Sequence, residues 1–425
     1  MKKTHTLLMP MMLPVHFELI RRALELHGYK AVLLKNSGPE VVEEGLRSVH
    51  NDACYPALLV IGQLLDAVKR GGFDENRIAL MITQTGGGCR ASNYIHLLRK
   101  ALKRNGLEHI PVVSLNTAGM EKNPGFKLTL TLLARMIVST IYGDLLMLLH
   151  NRCRSYEITP GDADRMVDKW QDILGRDYSK ARNLRVKRIK VNFRRICEDF
   201  AKIPLDITEK PRVGVVGEIY VKYAPLGNNN LEKFLLSEGC EIVVPGLVDF
   251  IRYMVENQIQ DNIIYGTGYF KRRAFEYARK LIDSLRGYMS KCVAEYEQFA
   301  PVAPVPFENI TKYAQKLVSL GNKMGEGWLL SGEMLELIHQ GVPNIVCTQP
   351  FGCLPNHIVG KGMIRPIKRM YPEANIVAID YDPGATRVNQ ENRIKLMLVN
   401  AKEGLFEKAK QSVGIREKSV EYANH

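Results

Sequence analysis

Three cysteines of this chain share a local context that could support metal chemistry. Cys54 lies in NDACYP ahead of an apolar helical stretch, whereas Cys89 (TGGGCRAS) and Cys353 (QPFGCLP) each follow a predicted strand. Each is predicted at or near the N-terminus of a helix, where unpaired N–H groups lower the pKa of a thiol. The thiolate is the form that binds metals and acts as a nucleophile. The pattern therefore indicates a site assembled from three distant segments.

The alternative for any single cysteine is that it is a small buried hydrophobe. The sequence has no C-x-x-C pair and no compact ferredoxin-type run, so spacing alone does not separate a metal ligand from a core residue. For the three helix-start cysteines both interpretations stay open on the residues alone. The other five fall in predicted helices, at a helix end or in a strand, and are predicted to be core residues: Cys153, Cys197, Cys240, Cys292 and Cys347.

Glycines stand directly before two of the three cysteines. Gly87 and Gly88 precede Cys89, and Gly352 precedes Cys353. Without a Cβ, the backbone at these positions can approach a bulky inorganic group and donate hydrogen bonds to its sulfur atoms. Gly87, Gly88 and Gly352 are therefore predicted to contribute to cofactor binding.

The elements that must position these residues alternate between short β-rich runs and longer helical patterns, which is typical of parallel sheets with crossover helices. The fold class is predicted as α/β, with two flavodoxin- or Rossmann-like domains over 1–127 and 207–425 and a helical connector over 128–206. The predicted strands are Thr6–Met11, Ala31–Leu34, Ile78–Thr83, Val112–Leu115, Val213–Val216, Ile242–Val244, Asn344–Thr348 and Ile376–Ile379.

The chain has a positive net charge. Lys and Arg total 59 against 45 Asp and Glu, which gives a net charge of +14 and indicates anionic partners. A helix with a basic face is predicted around Lys187 to Arg195, where a solvated face is the simpler interpretation. Because no zinc finger or RNA-binding signature accompanies the charge, nucleic acid is not expected as a partner.

The chain is predicted to be cytoplasmic and not to cross a membrane. Its most apolar stretch, Leu128 to Leu149, contains Arg135 and Asp144, which lipid tolerates poorly. Pro10 and Pro14 interrupt the N-terminal apolar run, unlike in a signal peptide. In a reducing compartment clustered thiols stay free for metal or chemistry.

Other candidate motifs are weak. Gly214 to Gly217 lacks the full dinucleotide fingerprint, so no ATP site is predicted. Asp380 to Gly384 is predicted to be a turn that caps a helix rather than a cation site. His357 is predicted to be a surface or hydrogen-bonded histidine rather than a substrate-binding one.

Several long motifs resemble the iron–sulfur component of the 2-hydroxyacyl-CoA dehydratase family. The similarity extends to the related double-cubane cluster proteins and is strongest to the dehydratase-like region of acyl-CoA dehydratase activase-related proteins. The motifs run over nearly the whole chain: NDACYPALLVIGQ (51–63), QTGGGCRASNY (84–94), EKNPGF (121–126), GEGWLLSGEML (325–335), QPFGCLPNHIVGK (349–361) and AIDYDPGATRVN (378–389).

The resemblance implies that Cys54, Cys89 and Cys353 bind an iron–sulfur cluster between two α/β domains, either one [4Fe-4S] cube or a double-cubane cluster. It also implies a low-potential electron delivered by a separate ATP-dependent activase, and dehydration of a 2-hydroxyacyl-CoA or reduction of a small molecule. Dehydratases of the family pair two different subunits, and symmetric dimers are common among proteins in general, so a heterodimer or homodimer is expected. Under this interpretation the positive charge faces the phosphates of CoA or an acidic partner.

Two function classes follow from these motifs. The first is an iron–sulfur redox enzyme, a dehydratase-like lyase or a double-cubane-type reductase. The second is a non-catalytic accessory protein that carries a cluster or docks an activase. The sequence identifies no catalytic acid or base for the enzyme.

Overall fold

The strands of the chain form two parallel sheets. The computed structural model describes residues 1–404 apart from 51, 85–87, 117–120, 122, 124 and 267. Within that part of the chain, the strands are β1 (Thr6–Met9), β2 (Lys30–Leu33), β3 (Ile78–Thr83), β4 (Val112–Leu115), β5 (Arg212–Gly217), β6 (Glu241–Val243), β7 (Asn344–Pro350) and β8 (Asn375–Tyr381). Their orders are β2-β1-β3-β4 and β6-β5-β7-β8, and all neighbours pair in parallel. The predicted α/β class with two parallel sheets is confirmed.

Helices connect the strands. They are α1 (Pro14–Glu25), α2 (Pro39–Ser48), α3 (Tyr55–Lys69), α4 (Tyr94–Arg104), α5 (Leu130–Arg154), α6 (Asp162–Asp177), α7 (Val186–Phe200), α8 (Ile219–Tyr223), α9 (Leu231–Ser237), α10 (Leu247–Tyr265), α11 (Tyr269–Ala294), α12 (Phe307–Gln315), α13 (Trp328–His339), α14 (Ile364–Met370) and α15 (387–404).

Strand order sets where a ligand can bind. In each sheet the first strand along the chain lies between the second and the third, so the connections leave β1 and β5 in opposite directions. Ligands of open α/β sheets bind at the carboxyl ends of the strands where the order reverses. The residues that follow β1, β3, β5 and β7 are therefore the ones that fold topology brings into position.

Helix α3 is packed between the sheets. It is buried from Tyr55 to Val68, and one hydrophobic cluster contains it together with Leu80 of the first sheet and Val215 and Val346 of the second. A helix buried on every side has its axis fixed by its neighbours. The residue that begins α3 is consequently held in place by both halves of the chain.

The helical layer is built around α5, α6 and α7. Tyr142, Trp170 and Phe193, one from each helix, belong to one core cluster, which also contains Leu285 and Met289 of α11. A helix from the C-terminal part of the chain thus completes this core. The division at 128–206 stays a prediction.

Helix α5 is apolar enough to span a membrane, with a mean hydropathy of 1.7 in its most apolar window. That window is 72% buried within the protein. Its polar residues are also engaged, since Arg135 Nε donates to the Tyr178 carbonyl at 3.0 Å. This is the packing of a core helix in a soluble protein.

Some element ends differ from the predicted ones. Strand β1 ends at Met9 rather than Met11, because Pro10 has no N–H to donate to a ladder. The sequence pattern over 310–320 also predicts a helix, and in the structure this helix, α12, begins at Phe307, directly after Pro306, and ends at Gln315. The predicted turn over 380–384 is present: the Gly384 N–H donates to Asp382 Oδ1 at 2.7 Å.

Candidate metal centre

Cys54 is held against the segment that carries Cys353. It precedes the first residue of α3, and the N–H of Tyr55 donates to the Phe351 carbonyl at 3.0 Å. Gly352 has a φ of +75°, and a Cβ built there would lie 3.2 Å from the Cys54 Cα. Glycine at 352 therefore permits both the left-handed conformation and the close approach of the two segments.

Cys89 begins the short helix Arg90–Asn93, which leads into α4. Its Sγ accepts a hydrogen bond from the Ala91 N–H at 3.5 Å. Gly88 lies against the segment before α13, since a Cβ there would be 2.5 Å from the sulfur of Met324. Gly87 lies outside the described residues, so its predicted role stays a prediction.

Cys353 stands just before the helical segment that starts at residue 354. Asn356 donates from Nδ2 to the Cys353 Sγ at 3.2 Å and also lies 3.4 Å from Glu326 Oε2. All three cysteines thus occupy helix starts, as predicted. The other five described cysteines are buried core residues, which confirms that prediction.

Two carboxyl groups lie near the cysteines, that of Glu326 buried and that of Glu218 partly buried. Glu218 follows β5 and accepts from the Val221 N–H at 2.9 Å, and Glu326 accepts from the Ile219 N–H at 3.0 Å. Burial and the neighbouring Glu326 raise the pKa of Glu218 to about 8. Burial likewise raises the pKa of Glu326. Both carboxyl groups therefore lose their protons at a higher pH than an ordinary glutamate does.

The charge of Glu218 contributes to raising the pKa of all three thiols. After burial, the charges of Glu326 and Glu218 are the main causes that raise the pKa of Cys353. The same two carboxylates and Cys54 act on Cys89. The segments that follow β3, β5 and β7 therefore meet at the edge where topology predicts a ligand.

The pKa of each thiol moves opposite to the sequence-based expectation. A helix start lowers a thiol's pKa, but burial raises the pKa of Cys54 and Cys353, and raises that of Cys89 to about 11. The expectation was wrong because removal from water and the nearby carboxylates outweigh the helix-start N–H groups. Metal binding here must displace protons, as it does at other thiolate sites.

Hydrogen-bond donors converge on the sulfur atoms. The Tyr94 hydroxyl lies 2.8 Å from the Cys54 Sγ, Asn356 donates to Cys353 and the Ala91 N–H donates to Cys89. Such donors stabilise thiolate ligands and tune a bound cluster. The set of three thiols, each with its own donor, fits an iron–sulfur cluster.

No group of three His, Cys, Asp or Glu side chains in the described residues is placed to hold one metal ion. Cluster thiolates bind different iron atoms, so they lie farther apart than the ligands of a single ion.

A cavity of about 270 Å³ lies beside Cys54, lined on its polar side by His50, Asp52, Arg90 and Asn93. A second feature of the site is its exposed apolar rim: Met324, Phe351, Leu354 and Ile358 are each at least half exposed. The cavity gives a small molecule a route to Cys54, and the rim surrounds the segment of Cys353.

Sequence reasoning missed four polar residues of the site. Tyr94, Glu326 and Asn356 fall within the motifs that carry the family resemblance, which was the available signal. Glu218 follows the glycines of β5, which are strand residues and not a phosphate loop. His357 is exposed, in agreement with its predicted surface role.

The chain was compared with protein-family models and with curated protein sequences, and it matches none of them. Any assignment of function therefore depends on the geometry of this site and on the motifs of the sequence.

Proposed function

We propose that this chain is the cysteine-bearing component of an iron–sulfur redox enzyme related to 2-hydroxyacyl-CoA dehydratases. In this proposal Cys54, Cys89 and Cys353 hold a [4Fe-4S] cluster, or one half of a double cubane. The observation that supports it most is the meeting of the Cys54 and Cys353 segments at Gly352, where a Cβ would be 3.2 Å from the Cys54 Cα. Two residues distant in sequence are thus held together where both sheets present their ligand-binding edge.

The chain's own residues would prepare the site in two ways. Tyr94, Asn356 and the Ala91 N–H donate toward the sulfur atoms and favour the thiolate form. The carboxyl groups of Glu218 and Glu326 lie near the thiols and can hold a proton near a substrate. When bound, the cluster would supply one-electron chemistry at low potential.

Substrate and partners belong to the same proposal. The cavity beside Cys54 would admit an acyl-CoA thioester or another small molecule, with Arg90 and His50 as its positively charged or polar groups. The apolar rim around Cys353 supports docking of a separate ATP-dependent activase. We further propose a cytoplasmic location and assembly as a homodimer or heterodimer.

A cluster carrier or activase-docking scaffold would use the same cysteines. The carboxyl groups of Glu218 and Glu326 favour the enzyme, because a carrier has no need of proton-holding groups near its thiols. Incubation with activase, reductant and a panel of 2-hydroxyacyl-CoA substrates separates the two. Turnover that depends on Cys353 would refute the accessory role.

The proposal is tested by anaerobic purification followed by iron and sulfide analysis. We expect brown protein with about four irons per chain for a single cube. Cys54→Ala, Cys89→Ala and Cys353→Ala should each lower the iron content, whereas Cys240→Ala, at a buried core cysteine, should not. Iron-free wild-type protein after anaerobic reconstitution would contradict the proposal.

A further inference from the structure

A separate cavity, with a volume of about 80 Å³, lies where β6 ends and α10 begins. Helices α5, α11 and α13 complete its wall, and none of its lining residues belongs to the metal centre. A cavity needs only about 10 to 15 Å³ to hold one water molecule, so this one has room for a small organic molecule. Val302, Pro304 and Gln340 in its lining are partly exposed, which places the cavity next to the protein surface.

Most of the cavity wall is apolar. Met147, Val248 and Met289 are among its buried apolar side chains. Sites for small molecules typically combine such a lining with a few polar groups that fix the orientation of the ligand. Two polar side chains of this wall, those of Glu336 and Arg286, have an atom that is open to the cavity.

The Glu336 side chain offers a carboxyl oxygen. The residue is 6% exposed, and its Oε1 accepts from Gln340 Nε2 at 3.1 Å. No described residue donates to Oε2 or pairs with this carboxyl group as a cation. Oε2 is also not one of the fully enclosed atoms that lack a partner, so a molecule in the cavity can reach it.

The Arg286 side chain offers a guanidinium nitrogen to the same cavity. Its Nε lies 2.7 Å from Asp249 Oδ1, and its Nη2 donates to Asp249 Oδ2 at 2.9 Å, so Asp249 holds the guanidinium in one orientation. Nη1 has no partner within the described part of the chain, and it too is not one of the fully enclosed unpartnered atoms. The cavity thus presents one carboxyl oxygen and one N–H donor that a ligand can contact.

These two groups require opposite partners. A carboxyl oxygen accepts a hydrogen bond in either protonation state, and an ammonium group is a donor that also favours the ionised form. A guanidinium only donates and is suited to a carboxylate. The acidic lining residues are Asp144, Asp249 and Glu336, against one basic residue, Arg286. This excess of acidic groups favours a ligand that carries an ammonium group.

We propose that this cavity binds a small zwitterion of the amino-acid class, with its ammonium on Glu336 Oε2 and its carboxylate on Arg286 Nη1. The short aliphatic part of the ligand would pack against the apolar wall. The proposal goes beyond the iron–sulfur function and does not depend on it. Each of the two polar contacts joins charged groups, so the loss of either should weaken binding by at least about tenfold.

The test is isothermal titration of the purified chain with L-alanine, ethylammonium chloride and sodium propionate at constant ionic strength. Ethylammonium lacks the carboxylate of L-alanine, and propionate lacks its ammonium. We expect saturable binding of L-alanine at one site per chain, and binding at least about tenfold weaker for each of the other two. Ethylammonium or propionate that binds as tightly as L-alanine would contradict the zwitterion.

Variants of the two polar residues test the contacts. Glu336→Leu and Arg286→Lys should each weaken L-alanine binding at least about tenfold; the lysine keeps a cation beside Asp249 but removes Nη1. Because propionate does not use Glu336, Glu336→Leu should bind it as wild type does, which a collapsed cavity would not. Exposed Glu308→Gln lies outside the lining and should leave L-alanine binding unchanged.

Circular dichroism of each variant confirms that it is folded. Glu336→Gln, which keeps the shape of the side chain but not its charge, decides the matter if Glu336→Leu does not fold. Absence of saturable L-alanine binding to the wild-type chain would overturn the proposal. Binding of L-alanine that is equally strong in wild type and in the folded Glu336 variant would overturn it as well.

Discussion

The hydroxyl oxygen of Tyr94 lies 2.8 Å from the sulfur of Cys54, and both residues are buried. Tyr94 is the first residue of α4 and Cys54 precedes α3, so the contact joins the starts of two helices of the first domain. In the thiolate form of Cys54 the hydroxyl is the donor. Tyr94 therefore stabilises negative charge on the Cys54 sulfur.

Tyr94→Phe should lower the reduction potential of a bound cluster. A hydrogen bond to a ligand sulfur favours the reduced, more negative cluster. If that preference is about 1.4 kcal/mol, a one-electron potential falls by about 60 mV when the bond is lost. An EPR-monitored redox titration measures the shift.

The control for this variant is Tyr220→Phe. Its buried hydroxyl has no hydrogen-bond partner among the described side and main chains, so the potential should change little. If both variants bind a cluster and the reduction potential of Tyr94→Phe equals that of wild type, the Tyr94–Cys54 contact does not tune the cluster. Failure of wild-type protein to load would instead count against the cluster itself.

Gly352→Ala should destabilise the protein and reduce its iron content. The substitution places a Cβ 3.2 Å from the Cys54 Cα at a φ of +75°, so both strain and displacement of the Cys54 segment follow. We expect a loss of about 2 kcal/mol in the free energy of unfolding, measured by urea denaturation, together with lower iron occupancy.

Gly341→Ala is the matched control for that experiment. Gly341 has a φ of +73°, but nothing lies within 4 Å of a Cβ built there. It should cost about 1 kcal/mol from backbone strain alone and leave iron content unchanged. If Gly352→Ala and Gly341→Ala lower the free energy of unfolding and the iron content equally, the close contact between Gly352 and Cys54 does not contribute to cluster binding.

The sheets could be predicted because their strands carry strong local signals. The first five residues of β3, Ile78 to Ile82, are all apolar and buried, which is typical of parallel sheets. The packing of α3 between the sheets has no comparable signal. It depends on residues as distant as Leu58 and Val346 joining one hydrophobic cluster, and one sequence does not reveal such groupings.

The cysteines of the site were predictable from their position at helix starts, but their electrostatics were not. The effect of a helix start is local and can be inferred from neighbouring residues. Burial of Cys353 and the charges of Glu218 and Glu326 come from segments that are distant in sequence. An isolated glutamate carries no periodic pattern, so Glu218 had no local signal, whereas Glu326 lies within a motif that carries the family resemblance.

The buried carboxyl group of Glu336 should make stability depend on pH. Burial and the charge of Asp249 raise its pKa from 4.5 to about 8 in the folded protein. Because the folded-state pKa is the higher one, the stability that the protonated group contributes is complete below about pH 4.5 and is lost as the pH rises through about 8.

Glu336→Gln stays neutral and should not show this loss. Relative to wild type, its free energy of unfolding should increase between pH 5 and pH 9 by at least about 1 kcal/mol, the equivalent of roughly one pKa unit. Urea denaturation at a series of pH values provides the measurement. Exposed Glu308→Gln should keep the wild-type profile, and parallel profiles for Glu336→Gln and wild type would disprove the assignment.

We expect Lys190 and Arg195 of α7 to stabilise the fold rather than to bind phosphate groups. Lys190 Nζ lies 4.7 Å from the centre of the Tyr288 ring, and the Arg195 guanidinium lies 5.6 Å from the Trp170 ring. Cation–π contacts of this kind contribute about 0.5 to 1 kcal/mol each at exposed sites. Lys190→Gln and Arg195→Gln should lower the free energy of unfolding by that amount, whereas exposed Lys187→Gln should not. If all three variants are as stable as wild type but bind CoA or an activase more weakly, the helix serves its partners and not the fold.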